Sequence, residues 1–195
     1  MEAIILAGGF GTRLQKVVHD VPKPMAPVAD RPFLTYLLDQ LVRQGCTHVI
    51  LAVGYKKEVV QNFFGANYKG ISLSYSIEEK PLLTGGALKK ALELATEDAV
   101  LVLNGDTFFD VDFSKMIDFH IENRADVTLA VKELHDFSRY GTVIFDDDFR
   151  ITRFTEKKKC PKGFINGGVY VLNRTLFNNF SEDKFMMEKD FLEKY

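Results

Sequence analysis

A chain of 195 residues, 46% of them apolar, is long enough to bury one sizeable core and is expected to form a single domain. Its 25 basic and 27 acidic side chains leave a net charge of −2, so no global field draws nucleic acid or an anionic membrane, and an anion site must be built locally. The apolar runs are too short to span a bilayer, the N-terminus lacks the pattern of a secretory signal, and Cys46 and Cys160 have no metal or redox spacing, which points to a cytoplasmic protein.

In chain order, Glu2–Leu6 is a short apolar run that predicts a buried strand. Residues 33–44 predict a helix, with Leu34, Leu37, Leu38, Leu41 and Val42 at helical spacing and Gly45 as the stop. His48–Val53 predicts a second strand. Lys57–Phe64 predicts an amphipathic helix ended by Gly65, and Ile71–Ile77 alternates as a half-buried strand does. Residues 85–95 predict a third helix. Residues 99–103 are wholly apolar, the pattern of a central parallel strand covered on both faces. Residues 126–131, 142–145, 151–155 and 164–172 predict further strands, with Asp146, Asp147 and Asp148 at a hairpin tip, and residues 184–195 predict a terminal helix. The alternation implies an α/β fold: a Rossmann-like three-layer sandwich around a mixed, mostly parallel sheet. Ligands of such sheets bind outside the carboxyl ends of the strands.

Two unusual segments fall at that edge. The first strand empties into Ala7-Gly8-Gly9-Phe10-Gly11-Thr12-Arg13, where glycines let the backbone approach a ligand and Arg13 adds a fixed charged fork suited to phosphate. The spacing matches neither a Walker loop nor a dinucleotide fingerprint. Lys23 follows between Pro22 and Pro24, a stiff mount for a cation that must meet developing charge. Together these point to a nucleoside triphosphate site. Asn104-Gly105-Asp106 leaves the most apolar strand, and a carboxylate there suits Mg²⁺; the plainer alternative is an Asx turn. Glycines at 85 and 86 would admit a flat or bulky ligand at a helix start, with Thr84 as an N-cap on the plainer view. Asn166-Gly167-Gly168 interrupts a strand, as a bulge or a ligand contact would. Glu156-Lys157-Lys158-Lys159 is a charge run, commonly just solvated. His19, His48, His120 and His135 are scattered, and none pairs with a serine or cysteine as a hydrolytic triad requires.

Taken together, the stretch from Leu6 to Leu14, Pro22-Lys23-Pro24-Met25, Leu83-Thr84-Gly85-Gly86-Ala87, Asn104-Gly105-Asp106, Tyr140-Gly141, Glu156-Lys157 and Asn166-Gly167-Gly168 resemble the sugar-1-phosphate nucleotidyltransferases over nearly the whole chain. The opening Met1-Glu2-Ala3-Ile4-Ile5-Leu6, the run from Asp20 to Val28 and Glu188-Lys189-Asp190-Phe191-Leu192 carry a narrower likeness to the manno-heptose 1-phosphate guanylyltransferases. The resemblance implies that Arg13, Lys23 and Asp106 are catalytic, with Asp106 holding Mg²⁺. It implies that Leu6, Ala7, Gly8, Gly9, Gly11, Thr12, Arg13, Lys23, Thr84, Gly85 and Gly105 bind the nucleotide, GTP foremost. It implies that Gly141, Glu156, Lys157, Asn166 and Gly167 hold the sugar 1-phosphate. Residues 1–125 would form the nucleotide half and 126–195 the sugar half. The product would be GDP-heptose, a precursor of surface polysaccharide. Within the class, a uridylyltransferase acting on an amino-sugar 1-phosphate is the alternative. Outside it stands a regulatory protein that binds nucleotide sugars without turnover. Neither nucleic acid nor membrane is an expected partner, and a homo-oligomer is compatible with the sequence.

Three departures qualify the likeness. The family's second metal carboxylate comes from an Asp-Ile-Gly-like segment that does not occur before Tyr195, and Asp190 is a poor substitute. Either the natural protein has a further tail or the site uses one carboxylate; weak Mg²⁺ binding and slow turnover are expected in both cases. Leu83 stands where glycine is frequent, and Lys80 where an acid is frequent.

Overall fold

A computed structural model describes residues 1–9, 21–155 and 157–194. The elements in order are β1 (Glu2–Leu6), a single 3-10 turn (Lys23–Met25), β2 (Pro27–Val28), β3 (Arg31–Pro32), α1 (Phe33–Arg43), β4 (His48–Val53), α2 (Lys57–Phe64), β5 (Asn67–Tyr68), β6 (Ile71–Ile77), α3 (Leu83–Leu92), β7 (Ala99–Asn104), α4 (Phe113–Glu122), β8 (Val127–Phe137), β9 (Val143–Phe145), β10 (Ile151–Phe154), β11 (Cys160–Asn173) and a π-helical turn (Met187–Leu192). Among the described residues one large sheet runs β10-β9-β11-β7-β1-β4-β6-β5, with β8 paired to β11. Its centre is parallel, because β1 lies between β7 and β4, and β4 continues to β6. β11 then joins β7 antiparallel, which makes the sheet mixed.

The period of two along β1 explains the three layers. Ala3 and Ile5 pack on one face with Leu34, Leu37, Leu38 and Leu41 of α1, Val60 and Phe64 of α2, and Phe113 and Met116 of α4. Ile4 packs on the other face with Leu88, Ala91 and Leu92 of α3 and with Phe177, Phe185 and Phe191. Both faces exclude water, as the uninterrupted apolar runs of β1, β4 and β7 require. Helix stops follow the glycines: Gly45 (φ +77°) ends α1 and Gly65 (φ +61°) ends α2.

Several elements differ from the sequence expectation. α3 begins at Leu83 rather than residue 85 and ends at Leu92 rather than 95. Thr84 is therefore inside the helix and does not cap it; its hydroxyl instead accepts the Met187 N–H at 3.0 Å. α4 had no counterpart in the sequence analysis, although Asp112 caps it by accepting the Lys115 N–H and Phe113, Met116 and His120 share its buried face. β8 and β11 run well beyond residues 126–131 and 164–172, because their antiparallel pairing carries from Val127–Leu172 out to Phe137–Cys160, past exposed Lys132 and Glu133. Pro161 and Gly163 mask that extension in the sequence. The terminal helix shortens to one π-helical turn. It is held by the Asp190 carboxylate, which accepts the Met186 N–H, and by aromatic packing of Phe177 on Phe185 and Phe191.

At the opposite edge of the sheet from the strand exits sits a buried charge. Glu2 is 2% exposed. Burial pushes its carboxyl up, but the Glu97 N–H, the His48 ring and the Thr96 N–H together pull it below its ordinary value. A depressed folded-state value stabilises the fold above the unfolded value of 4.5, and that stability is lost as pH falls through the lower folded value. Glu2→Gln is therefore expected to cost about 2 kcal/mol at pH 7. The gap to wild type should close as pH falls below 4.5 and through the lowered folded value, in urea unfolding followed by fluorescence. A gap that stays constant with pH would assign the cost to packing alone.

Candidate functional site

The carboxyl ends of β1, β4, β6 and β7 open on a cavity of about 540 Å³, a size suited to a small organic ligand. β1 and β7 are drawn together there. The Gly105 N–H donates to the Leu6 carbonyl at 3.0 Å, and a Cβ on Gly105 would collide with that same oxygen. The Ala7 N–H donates to the Ala52 carbonyl, so the first residue past β1 is tied to β4. Ala7 itself is buried beneath the site. Gly8 and Gly9 then line the cavity, and a Cβ on Gly8 would overlap the Glu78 carboxylate.

Asp106 stands at the exit of β7, and its carboxylate is paired with the Lys23 ammonium. The Thr107 hydroxyl donates to its other oxygen at 3.2 Å. Lys23 sits between its two prolines at the start of a single 3-10 turn. Pro22 has φ −67° and its carbonyl accepts the Met25 N–H, while Pro24 and Met25 are buried. A cation and a carboxylate from segments 83 positions apart thus meet at the rim of the cavity. About two-fifths of each side chain is exposed, which leaves both open to a ligand.

Of the expected nucleotide residues, Leu6, Gly8, Gly9, Thr84 and Gly105 line this one cavity, as does Asp106, expected to be catalytic and to hold the metal, whereas Ala7, Lys23 and Gly85 are not on its wall. Gly11, Thr12 and Arg13 lie outside the described residues, as does Glu156. The space beside Gly85 and Gly86, expected to admit a ligand, is filled by the chain itself. A Cβ on Gly85 would enter the Phe185 ring, and one on Gly86 would meet the Asp183 carbonyl. The two glycines let the C-terminal segment lie flat on α3, where the Phe185 carbonyl accepts the Gly85 N–H at 2.9 Å.

The expected sugar-phosphate residues gather less tightly. Gly141, Lys157, Asn166 and Gly167 are not on the wall of the cavity. Asn166-Gly167-Gly168 forms a bulge, since the β11–β8 register shifts between Asn166 and Tyr170. The Asn166 side-chain Oδ1 accepts the Gly168 N–H and its Nδ2 donates to the Tyr170 hydroxyl, which donates to Glu188. Burial and the neighbouring Glu188 push the Tyr170 hydroxyl far above its ordinary value, so it stays a donor. A Cβ on Gly168 would press on the Asn104 side chain, so the bulge abuts the Asn104-Gly105-Asp106 turn.

Gly54, Tyr55, Glu78 and Met186 also line the cavity without having been expected there, and so does Leu83, which the sequence marked only as standing where glycine is frequent. Gly54 and Tyr55 were findable, since they follow β4 at the same carboxyl edge. Glu78 is half-buried; burial pushes its carboxyl up, and the Leu82 N–H and Lys90 partly oppose that. Of the described histidines, His48 bridges Glu2 and Ser74, a serine pairing the sequence did not lead us to expect, at the sheet edge away from the cavity, and His120 bridges Thr128 and Asn173; His19 lies outside the described residues. Among the described residues no group of three or more His, Cys, Asp or Glu is placed to cage a metal. A lone carboxylate that already accepts a cation fits a Mg²⁺ shared with ligand phosphates rather than an all-protein site. The Asp190 carboxylate accepts the Met186 N–H. Among the described residues no helix is long and apolar enough to cross a membrane.

The comparisons with known proteins agree with this architecture. A family model described as nucleotidyl transferase matches residues 2–194. The chain is 52% identical, over its whole length and 84% of the relative's, to a D-glycero-alpha-D-manno-heptose 1-phosphate guanylyltransferase of Aneurinibacillus thermoaerophilus. It is 47% identical to the protein of the same name from Campylobacter jejuni, covering 86% of it. Among solved structures it is similar to HddC from Yersinia pseudotuberculosis complexed with GMP-PN, with a TM-score of 0.88 and 36% identity over all of this chain and 86% of that one.

Proposed function

The chain belongs to the nucleotidyl transferase family, and we propose that within it the protein joins GTP to D-glycero-α-D-manno-heptose 1-phosphate, giving GDP-heptose and pyrophosphate for a surface polysaccharide. The observation that carries this is the Lys23–Asp106 pair on the rim of the cavity that follows the glycine turn after β1. The two relatives with the highest identity quoted above bear the guanylyltransferase name, which supports the choice of base and sugar.

The chemistry asks little covalent work of the protein. A sugar-1-phosphate oxygen attacks the α-phosphorus in line, the bond to the bridging oxygen breaks, and pyrophosphate leaves. The attacking monoester has a second pKa of about 6 and is mostly dianionic at neutral pH, so no general base is needed. The histidines, all held in structural pairs where described apart from exposed His135, fit that requirement. The protein's task is to position two anions and neutralise charge. Gly8 and Gly9 would present backbone to the triphosphate, together with Gly11, Thr12 and Arg13. Lys23 would meet the charge that builds on the α-phosphate. Leu6, Thr84 and Gly105 would shape the base and ribose site from its wall, with Ala7 buried beneath it and Gly85 behind it against Phe185. Gly141, Glu156, Lys157, Asn166 and Gly167 would hold the sugar phosphate, in the half formed by residues 126–195, against the nucleotide half of 1–125. The metal, which we take as Mg²⁺ on Asp106, supplies charge neutralisation on the phosphates when bound. A cytoplasmic setting, where both substrates occur and thiols stay reduced, suits free Cys46 and Cys160.

The test is pyrophosphate release with Mg²⁺ across four nucleoside triphosphates and a panel of sugar 1-phosphates. Release with GTP and the heptose phosphate is the expected result. Release with UTP and an amino-sugar phosphate would move the substrate within the family. Silence from folded protein that binds GDP-heptose would overturn the activity.

A further inference from the structure

Leu83 opens α3 with φ +64°, in the left-handed region where a side chain's Cβ crowds the following carbonyl. Nothing in the core compensates. The side chain is 44% exposed and belongs to neither buried cluster. It lines the cavity, and it is the only non-glycine residue with positive φ that does so among the described residues. Leu6, Ala87 and Met186 line the same cavity, so part of its wall offers neither donor nor acceptor. Such a wall has nothing to hold a phosphate. It suits the flat face of a ring. Strain kept at a ligand cavity, with no packing to account for it, marks a contact made with the ligand.

We propose that Leu83 is a specificity residue that packs on the face of the nucleotide base and favours a purine over a pyrimidine. The two-ring base covers more of the leucine than a single ring does, so the contact gains more apolar area with GTP than with UTP. The proposal rests on the assignment of the cavity to a nucleoside triphosphate. It adds a residue that assignment does not use, and it explains why a leucine is tolerated at a position whose backbone suits glycine.

Calorimetric binding of GTP and of UTP to wild type, Leu83→Gly and Leu83→Ala separates contact from strain. Both variants are expected to bind GTP about five-fold more weakly, from the lost apolar area, with a smaller loss for UTP. Leu83→Gly should melt no lower than wild type, because glycine accepts φ +64° without a clash, whereas Leu83→Ala keeps the strained backbone and gains nothing. Wild-type affinity in Leu83→Gly, or equal losses for GTP and UTP, overturns the proposal alone. Failure of wild type to bind any nucleoside triphosphate overturns the cavity assignment and this proposal with it.

Discussion

Lys23→Ala is expected to lower the turnover number about 10²–10³-fold, the usual cost of removing one fixed charge donor from a site of developing negative charge. Thermal stability should hardly move, since the Lys23–Asp106 pair is two-fifths exposed and such pairs contribute only about 0–1 kcal/mol. The two readouts together are diagnostic. A surface lysine would lose neither activity nor stability, and a core buttress would lose both. KM for GTP should change little, because a charge that builds only in the transition state adds little to ground-state binding. Lys23→Arg should recover only part of the rate. The guanidinium is a planar fork on a different stem, and Pro22 and Pro24 leave the backbone no freedom to re-aim it. Steady-state pyrophosphate release and a melting curve on the same preparations decide the matter, and a turnover number within three-fold of wild type would remove Lys23 from the mechanism.

What the sequence disclosed follows from how local each signal is. β1, β4, α2 and β6 have the bounds their hydrophobic periods imply, because each is decided by burial of its own side chains. β8 and β11 ran past their apolar stretches because a ladder between two strands stabilises backbone regardless of side-chain pattern, and no single segment shows its partner. α4 was legible in principle, with Asp112 as cap and Phe113, Met116 and His120 on one face, yet Lys115, Asp118 and Glu122 make the segment look like a polar connection.

The site divides in the same way. Glycines after a strand and a carboxylate after another could be placed at the carboxyl edge by topology alone, and Gly8, Gly105 and Asp106 do meet there. Gly85 and Gly86 show the limit. A glycine in a sequence signals close approach without saying of what, and here the approaching groups are Phe185 and Asp183 from a segment about a hundred residues away. Glu78 and Met186 escaped for the opposite reason. They carry no motif, and only the folding of β6, α3 and the terminal turn around one cavity brings them together.

Asp106→Asn should be the second severe variant, and it tests the pair rather than the lysine. Asparagine keeps the shape and an acceptor oxygen but removes the charge that faces Lys23 and that, on the proposed reading, would hold a hard cation. Turnover is expected to fall by about 10² or more, and the Mg²⁺ concentration for half-maximal rate should rise by a similar order. The melting temperature should stay near wild type, since the carboxylate is two-fifths exposed and makes no buried bond. The double variant with Lys23→Ala carries the argument further. Residues that act on one reacting group as a unit show losses that do not multiply, because once the first is gone the second has less to stabilise. The double variant should therefore be little slower than the slower single one. If the two losses multiply instead, Lys23 and Asp106 act on separate groups, and the ion pair that joins them plays no part in turnover.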